Sequence, residues 1–359
     1  MKIAILSPGF IHQNSISFLT PLTIWENSIK ECGYNFKLFN SIDDKLDGDL
    51  ILVDSKFHRN LWKSNIDKIY QDFDFFNKTF NKVVYCDTAD SSGWIQSEIF
   101  PLVDKYWKLQ ILKNKSKYLD RMYDRRIYTD YYNKNYKIKD KVEDFSNDKL
   151  SKKDLDKIEV FWNSSMCDFS IYSHYYRKLY KYFKFKNLIN FKESKILNNI
   201  IKNNDIFSRF GVDNYRETIK FHRSKILNIL NEINNIKSKK ISRIQYIKEL
   251  SRSKLSVSPF GWGEIAYRDF ESFLFKTLLL KPNMDHIHTW PNLYKKDETY
   301  VSFKWNFEDL SLKIDNILSD YKKYSDIADN GYSNYRYFTN NKNSVISFTD
   351  RLKKLINNL

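Results

Sequence analysis

From its first residues the chain alternates short apolar runs with amphipathic stretches, a pattern that commits it to a parallel sheet covered by helices. Lys2–Leu6 reads as a strand ended by Ser7, Pro8 and Gly9, and residues 18–32 as a helix stopped by Gly33. Asn35–Phe39 is a second strand. Residues 49–53 are a third, apolar enough to be buried on both faces. Residues 65–80 read as a helix and 82–86 as a fourth strand. Sheets of this kind bind ligands beyond the carboxyl ends of their strands. That rule singles out His12 after the first strand, Asp54 and Ser55 after the third, and the run from Asp87 through Asp90 to Gly93 after the fourth.

The second half repeats the alternation. A strand at 159–162 precedes helices at 172–182, 218–230 and 241–250, and strands follow at 254–257, 277–280 and 299–303. A helix is expected at 306–319 with Asn306 as its N-cap, and two more between 321 and 359. At 359 residues the chain is long enough for two domains. We place the first at 1–150 and the second at 158–340, with a charged, apolar-poor linker over 138–157 and a final helix at 341–359.

One segment carries most of the functional information: Ser258-Pro259-Phe260-Gly261-Trp262-Gly263-Glu264, running into a helix that bears Arg268 and Glu271. The chain has only eight glycines, and two fall within three positions here, so the backbone turns sharply or approaches something closely. The helix carries Glu264 as well, and at about 100° per residue Glu264, Arg268 and Glu271 form one narrow stripe. Unpaired charges on a helix that is otherwise Ile, Phe and Leu are costly in a core. The stripe therefore lines either a cleft for an anionic ligand beside free loop amides, or a solvated face with a salt-bridge ladder.

The order of strand, glycine loop with a glutamate, and helix with a second glutamate resembles the C-terminal domain of GT-B glycosyltransferases, in their retaining and exostosin-like members. Residues 250–264 match the first half of that unit and 269–280 the second, and the likeness extends over 160–359. It departs in two places: the glutamates stand seven apart where the family has eight, and Lys276 occupies a position that is usually small. The resemblance implies an α/β fold of two Rossmann-like domains facing each other across a cleft. It also implies a nucleotide-sugar donor as co-substrate, without a further cofactor or a metal. Glu271 would hold the ribose, and Gly261, Trp262, Gly263 and Glu264 would approach the diphosphate or sugar. A glycan or glycolipid acceptor would sit on the first domain.

A leaving diphosphate needs cations. Arg268 and Arg223 are the favoured candidates, each weighed against an ordinary surface arginine. Lys281 and His286 lie in a second dense motif, residues 281–291, as donor-contacting or loop-fixing groups; two histidines with no third ligand make a poor metal site. On the acceptor side Asp90, Asp87 and His12 are candidate catalytic residues, a carboxylate serving as general base, with helix capping as the plain alternative. Asp72-Phe73-Asp74 falls inside a helical stretch and reads as surface. No dinucleotide fingerprint, Walker loop or nucleophile elbow is present.

The formal charge of +16 admits nucleic acid, an anionic membrane surface or a coding bias toward Lys, Asn and Ile. The lysines are scattered and no nucleic-acid motif is found, so nucleic acid is disfavoured. Three widely spaced cysteines and a first strand without signal-peptide character lead us to expect a cytoplasmic protein, peripheral at most on the inner membrane face. The alternative function is a non-catalytic two-domain binder of nucleotides or polyanions.

Overall fold

The computed structural model describes residues 1–43, 45–145, 150–192, 200–233, 240–339 and 342–359. In chain order the first half contains β1 (Lys2–Leu6), α1 (Gln13–Ile24), α2 (Glu26–Glu31), β2 (Asn35–Phe39), β3 (Leu50–Asp54), α3 (Leu61–Ser64), α4 (Ile66–Thr79), β4 (Lys82–Asp87), β5 (Lys105–Lys108), β6 (Gln110–Leu112), α5 (Ile127–Tyr136) and β7 (Ile158–Val160). The second contains α6 (Ser173–Phe183), β8 (Asn204–Phe207), α7 (Glu217–Ile233), α8 (Arg243–Arg252), β9 (Ser253–Val257), α9 (Tyr267–Leu274), β10 (Leu278–Pro282), β11 (Ile287–Thr289), β12 (Val301–Phe303), α10 (Leu310–Ser319), α11 (Tyr321–Thr339) and α12 (Lys342–Asn357).

Two parallel sheets result, ordered β2-β1-β3-β4-β5-β7 and β12-β10-β9-β8. All five residues of β3 are buried. Leu50 and Leu52 join the core under α1, while Ile51 and Val53 join the one under α4, as the two-residue period of a strand requires. Helix α4 presents Ile69, Phe73 and Phe76 to that second core, at the spacing of one helix face. The fold is two Rossmann-like domains facing each other across a cleft.

The chain crosses between them more often than a single linker allows. Tyr128 and Tyr132 on α5 pack into the core of the second domain, where Tyr132 lies parallel to Phe307. Strand β7, read from sequence as the start of the second domain, pairs with β5 and ends the first sheet. Helix α12 returns to the first domain through Phe348, Leu352, Leu355 and Ile356. A short antiparallel ladder, β6 with β11, bridges the domains directly. Of the linker read over 138–157, residues 146–149 lie outside the described residues. The helix expected from Asn306 begins at Leu310 instead; Asn306 closes a turn with Glu308, its amide donating to Glu308 Oε2 at 2.7 Å. Asp72, read as surface, is buried in α4 and bonded to His58.

Candidate functional site

Strand β9 carries the chain to the cleft, and the loop that follows is held from behind by side chains distant in sequence. The Phe260 N–H donates to His222 Nε2 at 3.1 Å, so that nitrogen is unprotonated and Nδ1–H donates to the Tyr132 hydroxyl at 2.7 Å. Burial, with the charges of Arg223 and Lys281 nearby, drives His222 far below its ordinary range, which keeps this neutral form in place. Three successive carbonyls are then capped. Phe260 O accepts from Arg223 Nη1 (2.7 Å), Gly261 O from the Tyr128 hydroxyl (2.7 Å) and Trp262 O from Arg126 Nε (3.0 Å). With those oxygens occupied, the N–H groups of Trp262, Gly263, Glu264 and Ile265 are left without a protein acceptor among the described residues. Consecutive free amides of this kind bind anions.

A cavity of about 390 Å³ opens between this loop and the first domain. Gly261, Trp262, Gly263, Arg223, Arg268 and Glu271 all line it, and Asp90 faces them from the first domain. Arg223 is almost fully buried, donating to Gly211 O at 2.6 Å and to Phe260 O. Burial lowers its guanidinium to about 10, still charged at neutral pH. Arg268 bonds to Arg209 O, and its Nε is buried without a partner. Among the described residues neither arginine has a carboxylate partner, although four other arginines around the cleft do: Arg126 and Arg216 on Asp124, Arg209 on Glu249, and Arg243 on Glu271. Unneutralised guanidinium groups in a concave site are an anion-binding device.

Glu271, one turn along α9 from Arg268, also lines the cavity. Its Oε2 accepts from the Tyr246 hydroxyl at 2.8 Å and its Oε1 pairs with Arg243, both presented by α8. A carboxylate has about four acceptor positions, so capacity remains for a ligand hydroxyl. Asp90 accepts from Asn14 Nδ2 at 2.9 Å, and its carboxylate is otherwise exposed to the cavity.

Five other residues singled out from sequence lie away from the cavity. Helix α9 begins at Tyr267 because Asp269 Oδ2 accepts from the Ala266 N–H (3.0 Å), so Glu264 precedes the helix and the expected three-membered stripe reduces to Arg268 and Glu271. The fully buried Glu264 turns instead to the first domain, accepting from Ser92 N at 2.9 Å and from Ser92 Oγ, with His286 Nε2 at 3.6 Å. Burial opposes its ionisation, yet His286 and Ser92 together hold the carboxyl below its usual range. His286 is thus a neighbour of Glu264, wedged edge-on against Trp305 (4.9 Å). Lys281 is sealed beneath the loop, 3.1 Å from Asp269 Oδ2. Asp87 is buried on Lys108 Nζ and the Tyr106 hydroxyl, each at 2.7 Å. His12 holds the N-cap position of α1 without a capping bond, and it is Asn14, in the first turn of that helix, that bonds to Asp90. Sequence reasoning missed Arg243, Tyr246, Asn14 and Tyr215, the last with its ring 4.6 Å from the Arg223 guanidinium. Only their types, Arg and Tyr among many, were visible.

Among the described residues no group of three or more His, Cys, Asp or Glu is placed to hold a metal ion, and no helix is long and apolar enough to cross a membrane. No protein-family model matches the chain, and no curated protein does. Solved structures similar to it include Anabaena HepE in complex with UDP, at 12% identity over all of both chains and a TM-score of 0.45. A glycosyltransferase from Rickettsia africae shares 12% identity over all of this chain and 99% of its own, with a TM-score of 0.47. An alpha-glucosyltransferase in complex with UDP and a 13-mer DNA shares 11% over the same proportions, with a TM-score of 0.45.

Proposed function

We propose that the chain transfers a sugar from a nucleotide-sugar to a hydroxyl of a glycan or glycolipid acceptor, without a metal. The observation that carries this is the pairing, in one cavity, of two carboxylate-free guanidinium groups beside free loop amides with the Glu271 carboxylate. The first suits a diphosphate and the second a ribose diol. In this scheme Arg223, Arg268 and the 262–265 amides neutralise the diphosphate as the bond to the anomeric carbon breaks and the electron pair leaves with it. Asp90, oriented by Asn14, takes the proton of the acceptor hydroxyl whose oxygen forms the new bond. Closing of the two domains on the ligands excludes water.

The test is incubation with a panel of nucleotide-sugars, UDP-glucose among them, and measurement of released nucleoside diphosphate. Release from one donor, accelerated by an acceptor, is expected. No release from any donor, together with salt-sensitive binding to heparin or DNA, favours the non-catalytic polyanion binder.

A further inference from the structure

Helix α6 and the turn after it form a surface that the transfer chemistry does not use. Between Tyr172 and Lys186 the sequence has seven aromatic rings, five Lys or Arg residues and no carboxylate. Some of these residues anchor the helix. Ser173 and Tyr180 are buried, the Tyr180 ring 4.6 Å from that of Phe10, and Lys186 pairs with Glu26. The opposite face carries His174, Tyr175, Lys178, Lys181 and Tyr182, all exposed, at the spacing of a single helical stripe. Tyr172 extends that face at one end and Phe183 and Phe185 at the other; Tyr182 is 82% exposed and Phe185 65%. Among the described residues Lys178, Lys181 and Lys184 have no ion-pair partner.

We infer that this face docks the protein on an anionic lipid bilayer. Amphipathic rings settle at the depth of the headgroups, and lysines reach past them to lipid phosphates. Alternation of the two along one helix is the composition of an interfacial element. The face is a line on a convex helix about 17 Å long, which meets a plane; a nucleic-acid strand instead needs a groove that follows its backbone. Arg177, on the inner side of α6, donates to Cys167 Sγ at 3.5 Å, and Ser164, three residues before that cysteine, lines the cavity. Docking through α6 would hold the cavity, and with it the acceptor, near the bilayer surface. That consequence rests on the function proposed above, whereas docking itself does not.

The experiment is co-sedimentation of the full chain with vesicles of phosphatidylcholine alone and of phosphatidylcholine mixed with phosphatidylglycerol. Binding to the mixed vesicles only, weakening with salt, is expected. Lys178→Glu with Lys181→Glu, and separately Tyr175→Ser with Tyr182→Ser and Phe185→Ser, should each lower the partition constant at least about tenfold, with unchanged thermal unfolding. Donor hydrolysis in vesicle-free buffer should stay at the wild-type level in these variants, which separates loss of docking from loss of the active site. Equal binding to both vesicle types, variants that bind like wild type, or retention by single-stranded DNA without any vesicle binding would each overturn the inference.

Discussion

A Cβ added to Gly263 would stand 2.0 Å from the carbonyl oxygen of Asp90, a separation no side chain tolerates. The glycine loop of the second domain is thus pressed against the strand-end loop of the first, and both residues line the cavity. Gly263→Ala should force the two loops apart, lowering stability by about 1–3 kcal/mol and abolishing ligand binding. Gly211, whose added Cβ would meet nothing within 4 Å, supplies the control. Thermal unfolding of Gly211→Ala should stay close to wild type.

Glu264 ties the same loops together through Ser92, and its contribution depends on pH. Its folded carboxyl lies below the ordinary value of 4.5, so the stabilisation is complete above that value and disappears as pH falls through the lowered one. Glu264→Gln should cost about 1–3 kcal/mol at neutral pH and flatten the acid limb of the stability profile. Denaturant titrations across the acid range would show both effects. A wild-type profile with the same acid slope as the variant would count against the link.

In the proposed function Glu271 holds the ribose, and in the structure Arg243 and Tyr246 both bond to its carboxylate. Glu271→Gln preserves the shape but leaves Arg243 without its counter-charge. We expect donor affinity to fall about ten- to hundredfold, with the fold intact by circular dichroism.

Asp90 lines the cavity from the first domain. Asp90→Asn should lower the transfer rate by about two to four orders of magnitude while donor affinity changes little. Asn14→Ala, which frees the carboxylate to rotate, should have a smaller effect of the same kind. Steady-state kinetics against an acceptor would separate the two from a binding defect.

Much of the architecture was legible because local patterns and packing agree. The strand before Ser258 carries Leu255 and Val257 at the two-residue period, the glycines sit where two loops meet, and the helix after them buries Phe270, Phe273 and Leu274. The start of that helix was not legible: Asp269 caps Ala266, a position with no capping side chain of its own, and this removed Glu264 from the stripe. Asp87 and Lys281 were read by charge and neighbourhood, but each is consumed by a buried partner, Lys108 and Asp269, that spacing alone does not reveal. Strand β7 has only three residues and was assigned to the domain that follows it, whereas its hydrogen bonds go to β5. Arg243 and Tyr246 reach Glu271 from 28 and 25 residues upstream, distances no local pattern reports.

Arg223 and Arg268 lie near Phe210, at 5.1 and 5.6 Å, and in the proposed function a diphosphate supplies the counter-charge that no carboxylate among the described residues gives them. Isothermal calorimetry with UDP and with uridine tests this. Wild type should bind UDP far more tightly than uridine, and Arg268→Ala should weaken UDP binding about ten- to hundredfold while leaving uridine unaffected. Equal affinity of wild type and Arg268→Ala for UDP would contradict it.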